Sequence, residues 1–118
     1  MRLVILESPY AGDVEKHVAY ARACLRESLS RGEAPIASHL LYTQPGVLRD
    51  DDPGERQRGI DAGLAWASQA EATVVYTDFG ISNGMKYGIE HASRAGRLIE
   101  YRAINQTADS ASASGNPA

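Results

Sequence analysis

The sequence has little of several features that mark common protein classes. Its only cysteine, Cys24, excludes a disulfide within the chain and is typical of a reducing compartment. No apolar run approaches the roughly 20 residues that a membrane-spanning helix needs. The apolar stretch at residues 3–6 is also too short for a signal peptide. We therefore expect a cytoplasmic protein without a membrane partner.

Excess charge is also lacking, because 12 basic residues face 15 acidic ones and the formal net charge is −3. The basic residues are spread along the chain, which argues against a nucleic-acid partner. Three consecutive acids, Asp50, Asp51 and Asp52, cannot all converge on one ion, and Asp52 is suited to capping a helix. The loops lack the Walker and GxGxxG fingerprints. We expect neither a metal nor another cofactor.

With 118 residues, the chain is long enough for one hydrophobic core and too short for two. No large apolar residue follows Ile104. A polar segment of this kind cannot offset the entropy lost on ordering. We therefore predict a domain at residues 1–102 and a disordered C-terminal tail at residues 103–118.

Short apolar runs alternate with segments of helical periodicity. The run Leu3–Leu6 is continuous, as in a strand buried on both faces, and Thr73–Thr77 is rich in β-branched residues. Two further strands are predicted at Ala34–Ser38, extended by Leu40 and Leu41, and at Leu98–Tyr101. The order β-α-β-α-β-α-β predicts a short parallel sheet of about four strands with helices on both faces, flavodoxin- or Rossmann-like.

Helix boundaries carry recognisable signals. Asp13, Asp52 and Ser82 are predicted N-caps, and Glu55 stands where a capping box places its acid. Gly32 and Gly96 stand where helices end. The first helix has apolar residues spaced by three or four, the second runs to about residue 70, and the third carries Met85, Ile89 and Ala92.

Ligands of such sheets bind beyond the carboxyl ends of the strands. The loop Ser8–Gly12 joins a strand to a helix and is suited to an anion such as phosphate, or else is a tight turn in which Tyr10 packs. In the loop Asp78–Met85, a carboxylate faces small polar donors. The Asp78 carboxylate either binds a polar ligand or is solvated. His39 follows the second strand, and Asp61 either reaches the cleft or faces water.

The order of these segments resembles the nucleoside 2-deoxyribosyltransferase-like superfamily. The chain looks closest to small uncharacterised phage and bacterial domains of that fold. The matching residues lie within Val4–Gly12, Ala37–Tyr42 and Ile81–Met85, followed by a helix that ends at Gly96, and Asp61 precedes a strand at about the family's spacing. The resemblance covers most of residues 2–102 and implies a homo-oligomer with a nucleotide-sized cleft.

Family members with demonstrated chemistry break or exchange N-glycosidic bonds through a glutamate nucleophile, as retaining glycosidases do with sugars. The resemblance puts Gly88 at the position of that glutamate. Glu90 lies about 200° further around the helix, and Glu7 ends the first strand as a second candidate carboxylate. Neither matches the family's motif, so the resemblance supports the fold and a nucleotide-sized cleft but not the transferase reaction.

We therefore hypothesise a protein that handles a nucleoside or nucleotide, with an N-glycosidic bond as its target. Two alternatives are a non-catalytic module that binds a nucleotide-derived ligand and an accessory interaction protein that keeps only the fold. The candidate catalytic residues are Glu90 and Asp78. The candidate substrate-binding residues are Ser8, Tyr10, Gly12, His39, Asp61, Asp78, Ser82, Asn83, Gly84 and Met85.

Overall fold

A computed structural model describes residues 1–105 of the chain. Four strands alternate with helices, and a single helical turn follows the second strand. No helix in this part of the chain has both the length and the hydropathy needed to cross a membrane. The elements are β1 (Arg2–Glu7), α1 (Val14–Ser30), β2 (Glu33–Ile36), α2 (Ser38–Leu41), α3 (Pro53–Ala67), β3 (Ala72–Tyr76), α4 (Asn83–Arg94) and β4 (Leu98–Arg102).

The four strands form one parallel sheet in the order β2-β1-β3-β4. This confirms the predicted α/β fold, and the order corresponds to the first four strands of a flavodoxin-like sheet. The chain leaves β1 toward one edge and later returns to β3 on the other side of β1. The switch in strand order therefore lies between β1 and β3, where Glu7 pairs with Val75.

The two faces of the sheet are covered by different helices. Alternate residues of β1 and β3 pack with α1 in the main core, in which Cys24 is fully buried. Ile5, Glu7 and Thr73 face the opposite side, together with residues of α3 and α4. The α1-facing core includes Val4, Leu6, Val74 and Tyr76 from the sheet and Tyr20, Ala21 and Cys24 from α1.

The predicted extent of the second strand is wrong. β2 ends at Ile36, and Ser38–Leu41 forms the helical turn α2. The backbone N–H groups of Leu40 and Leu41 both donate to the carbonyl of Ala37. Leu40 thereby reaches the α1-side core, where it is 8 % exposed. Ala37 and Leu40 are three residues apart, so a helical turn places both on one buried face, whereas a strand would place them on opposite faces.

The helix boundary signals are largely confirmed. The side chains of Asp13, Asp52 and Ser82 each accept a hydrogen bond from a backbone N–H in the first turn of α1, α3 and α4. Gly32 and Gly96 have positive φ values of 82° and 70° just beyond α1 and α4. Glu55 departs from the capping-box expectation, because its carboxylate accepts from the backbone of Arg49 instead.

Asp52→Ala should lower the free energy of unfolding by about 1 kcal/mol, the usual cost of removing an N-cap. The reason is that Asp52 Oδ1 accepts from the N–H groups of Gly54 and Glu55 at 2.9 and 3.2 Å. Urea unfolding followed by circular dichroism measures the change. Asp51→Ala, at an exposed neighbouring position, is the control and should change stability by less than about 0.5 kcal/mol. Equal effects would contradict the capping role.

The expected tail at residues 103–118 lies outside the described residues from position 106 onward. Residues 103–105 are described and continue directly from β4. The backbone N–H groups of Ile104 and Asn105 donate to the carboxylate of Asp78, and Ile104 packs against the α1-side core. Ile104 and Asn105 therefore contact the α1 side of the domain.

Candidate functional site

A cavity of about 750 Å³ lies on the face of the sheet opposite α1, between α3 and α4. It opens along the carboxyl end of β1, beside the switch in strand order. Its volume falls within the range of small-molecule sites. Residues of β1, the β1–α1 loop, α2, α3 and α4 line it, and the polar ones include Glu7, Ser8, Tyr10, Ser38, His39, Asn83 and His91.

Glycines face this cavity from both helices. Gly59 and Gly63 are one turn apart on α3, and Gly84 and Gly88 are one turn apart on α4. A Cβ atom on Gly63 would lie 2.5 Å from Ser38 Oγ, which is closer than real contacts. Since glycine inside a helix costs roughly 1 kcal/mol relative to alanine, these positions exchange helix stability for space.

Two carboxyl groups of the cavity lining have partners, since Asp50 pairs with Arg56 and Glu55 accepts from the backbone of Arg49. The third carboxyl group of the lining is Glu7. It ends β1 at the switch point, and its side chain lies directly against Gly88 of α4. Among residues 1–105, no hydrogen bond or ion pair to this carboxyl group is found. Burial raises the pKa of Glu7 to about 8. The group is therefore largely protonated at neutral pH, as a proton donor to a ligand must be.

Beside Glu7, Ser8 and His39 form a polar pair on the cavity wall. The Ser8 hydroxyl and His39 Nε2 are 2.7 Å apart. Burial lowers the pKa of His39 to about 4, so the imidazole is neutral at pH 7. A neutral imidazole has one donor and one acceptor nitrogen, so the pair adds hydrogen-bonding capacity without charge. α2 is needed for this pair, because it carries His39 back toward the end of β1.

The two predicted loops meet at this cavity. The β1–α1 loop is held by a 3.0 Å contact between the Tyr10 carbonyl and His17 Nδ1, and α4 begins with Ser82 as its N-cap. Helix N-termini favour anionic or polar ligand groups. The predicted substrate-binding residues that the structure brings together on the cavity wall are Ser8, Tyr10, Gly12, His39, Ser82, Asn83, Gly84 and Met85.

Asp78, a candidate in both sets, is placed away from the cavity lining. Its carboxylate accepts from the Tyr20 hydroxyl at 2.6 Å and from the N–H groups of Ile104 and Asn105 at 2.9 Å. Burial alone would raise the pKa of Asp78, but these hydrogen bonds outweigh burial and lower it. Asp78 therefore joins α1 to the chain that follows β4, outside the cavity.

Asp61 and Glu90 also lie outside the lining, and both are exposed. Asp61 accepts from Gln57 at 2.9 Å, and Glu90 pairs with Arg94 at 2.9 Å. Successive helical residues are turned by about 100°, so Asp61 points away from the side on which Ile60 faces the cavity. The same geometry turns Glu90 away from Gly88. Within residues 1–105, no group of three or more His, Cys, Asp or Glu side chains is placed to share a metal ion.

Several lining residues were not predicted from the sequence. His91 lies one turn after Gly88, and its Nδ1 is buried without a hydrogen-bond partner in the described residues. Tyr42 and the α3 glycines also line the cavity. The available signal was the spacing Gly59-x3-Gly63, repeated as Gly84-x3-Gly88, because glycines one turn apart on a helix indicate a close approach.

A family model described as "Domain of unknown function (DUF7768)" matches residues 2–102. The chain belongs to this family. Among curated proteins, no significant match to this DUF7768 domain was found.

One similar solved structure is a 2-deoxyribosyltransferase from the psychrotolerant bacterium Bacillus psychrosaccharolyticus, described as a biocatalyst for the synthesis of antiviral and antitumoral nucleosides. The two chains are 18% identical, with a TM-score of 0.61. The match covers 86% of this chain and 72% of the other. At this identity, the likeness shows that the DUF7768 domain shares the deoxyribosyltransferase fold.

Proposed function

We propose that this DUF7768 domain binds a nucleoside or nucleotide in the cavity and cleaves its N-glycosidic bond, with Glu7 as the reacting carboxyl group. One observation carries the proposal: an enclosed carboxyl group without a protein partner lies at the strand switch point, inside a cavity of about 750 Å³. Ligands of parallel sheets bind at this point. The shared fold with a 2-deoxyribosyltransferase supports the choice of ligand.

Cleavage by a protonated Glu7 balances as a hydrolysis. As the bond between the anomeric carbon and the base nitrogen breaks, its electron pair stays on nitrogen, which takes the proton of Glu7. A water oxygen then bonds to the anomeric carbon, and the carboxylate of Glu7 takes a proton from that water. The products are free sugar and free base, and Glu7 returns to its starting state. The raised pKa of Glu7 suits this role.

The remaining lining residues bind and orient the ligand in this proposal. The segments Ser8–Gly12 and Ser82–Gly84 receive the sugar or its phosphate at the N-terminal ends of α1 and α4. The Ser8–His39 pair supplies uncharged hydrogen-bonding groups next to Glu7. The apolar side chains of α3, including Ile60 and Leu64, offer a surface for the flat base.

The test is release of free base from a panel of deoxynucleosides and their 5′-monophosphates, followed by chromatography. We expect Glu7→Gln to lower the rate by about 100-fold or more, the usual contribution of general acid–base catalysis. Glu15→Gln, the same substitution on an exposed glutamate of α1, should leave the rate unchanged. Full activity of Glu7→Gln, or loss of activity in Glu90→Gln instead, would contradict the role of Glu7.

A non-catalytic binding module is the second candidate function. The observation that favours it is Gly88, which leaves the position implied by the resemblance without a carboxylate. A panel compound that raises the melting temperature without releasing base would establish binding alone, because a ligand selective for the native state raises apparent stability. If no compound of the panel causes base release or a thermal shift, both functions are contradicted.

A further inference from the structure

The side chain of Glu7 and any side chain at position 88 would occupy the same space. A Cβ atom added to Gly88 would overlap Glu7 Oε2 and would lie 2.6 Å from its carboxyl carbon and 3.1 Å from Oε1. Nonbonded atoms do not approach so closely. The carboxyl group of Glu7 therefore fills the place where α4 would otherwise present a side chain to the cavity.

No backbone requirement explains glycine at this position. Gly88 lies inside α4 and is not among the glycines of positive φ in the described residues, so its conformation is open to any residue. Alanine in its place would favour the helix. Gly84, one turn earlier on the same helix, has nothing within 4 Å of an added Cβ. Of the two glycines of α4, only Gly88 therefore has the Glu7 carboxyl group in the space that a Cβ atom would take.

Position 88 nevertheless points into the cavity. Gly84, Met85, Gly88 and His91 all line it, as residues three or four apart on one helix face do. A side chain built on residue 88 would enter the cavity from α4 at the point that Glu7 reaches from β1. Two neighbouring elements of the cavity wall, β1 and α4, therefore converge on one carboxyl position.

We propose that residues 7 and 88 form a single exchangeable carboxyl position, in which Gly88 assigns the acid to β1. A carboxyl group supplied from position 88 takes over the role of Glu7 when residue 7 is small. Gly88 is a positioning residue in this proposal, since it acts only through Glu7. The steric part stands on the structure alone, whereas the exchange of catalytic role rests on the proposed function.

A stability cycle tests the steric part without any assay of activity. Gly88→Ala should lower the Tm of the wild-type chain by at least about 4 °C, because the new methyl group displaces the Glu7 carboxyl group from its place against α4. In the Glu7→Ala background, the same substitution should raise the Tm or leave it unchanged, since only the helix preference remains. Gly84→Ala is the matched control and should shift the Tm equally in both backgrounds. Equal shifts for Gly88→Ala in both backgrounds would overturn the proposal.

The exchange of role is tested with the double variant Glu7→Ala/Gly88→Glu. We expect Glu7→Ala to lower the rate of base release at least about 100-fold. In the double variant, the rate should return to within about tenfold of wild type. In the wild type, the carboxyl group at this position should lower the Tm as pH rises from 4.5 to 8. This fall in Tm should disappear in Glu7→Ala and return in the double variant. An active wild type with an inactive double variant would overturn the exchange, whether or not that pH dependence returns. If no variant releases base, including the wild type, the proposed function fails, and the stability cycle still decides the shared position.

Discussion

Glu7→Gln should raise the free energy of unfolding by about 3 kcal/mol at pH 7. Burial raises the pKa of Glu7 from its ordinary value of 4.5 to about 8 in the folded chain. The folded protein therefore holds a proton that the unfolded chain releases above pH 4.5. Stability from this group is full below pH 4.5, falls as pH rises, and is lost through pH 8. Glutamine keeps the shape of the side chain and removes this cost.

The measurement compares urea unfolding of wild type and Glu7→Gln from pH 4 to pH 9. The gain should be close to zero at pH 4 and about 4–5 kcal/mol at pH 9. His39 also titrates in this range, because its lowered pKa makes stability fall below pH 6.5. Both proteins contain His39, so its contribution cancels in the difference. A gain independent of pH would show that the Glu7 carboxyl group is not held in its protonated form.

A gain of this size would also support the functional assignment. Natural proteins accept destabilised side chains mainly where activity requires them. Glu7 is partly buried without a protein partner in the described residues, whereas the buried acid Glu33 is fully paired. The contrast between these two glutamates separates a group available to a ligand from one that stabilises the fold.

Glu33→Gln should lower the free energy of unfolding by about 3–5 kcal/mol, the usual effect of breaking a buried ion pair. Glu33 accepts two hydrogen bonds from Arg102, at 2.8 and 2.6 Å, one from Arg2 at 2.7 Å and one from Ser28 at 2.7 Å. Both Glu33 and Arg102 are less than a tenth exposed, at 5% and 8%. Glutamine would leave the buried Arg102 guanidinium facing an amide that cannot neutralise it.

This ion pair also sets an acid limit. The hydrogen bonds from Arg102 are the main reason that the pKa of Glu33 falls from 4.5 to about 2. Its contribution is full above pH 4.5 and is lost as pH falls through 2, which amounts to about 3 kcal/mol. The unfolding curves of wild type and Glu33→Gln should therefore differ at pH 7 and nearly coincide at pH 2.5. Asp61→Asn, at an exposed position, is the control and should stay within about 0.5 kcal/mol of wild type.

The network explains why the last strand belongs to the domain. Arg102 ends β4, and Glu100 on the same strand pairs with both Arg102 and Arg2. These pairs connect β4 to β1 and β2 on the α1 side of the sheet. The sequence predicted a strand at Leu98–Tyr101 but none of these ion pairs. Their pairing depends on the strand order β2-β1-β3-β4, which no local pattern contains.

The sequence by itself determined most of the fold, because its signals are local. Apolar runs predicted the strands, and the N-cap residues Asp13, Asp52 and Ser82 predicted where the helices begin. The alternation of strands and helices then left few topologies other than a parallel sheet. The predicted loops meet at one cavity for the same reason, since the carboxyl ends of parallel strands share one edge.

Only the tertiary structure decided which carboxyl group of the cavity is left without a partner in the described residues. Asp78, Asp61 and Glu90 were plausible in sequence, but each has a partner or faces away, because helical rotation and contacts from distant segments orient them. Glu7 became distinguishable through its contact with Gly88, 81 positions later, and through the burial that raises its pKa. Burial and contact between distant residues depend on the packing of β1 against α4, and a pattern read along the chain contains neither.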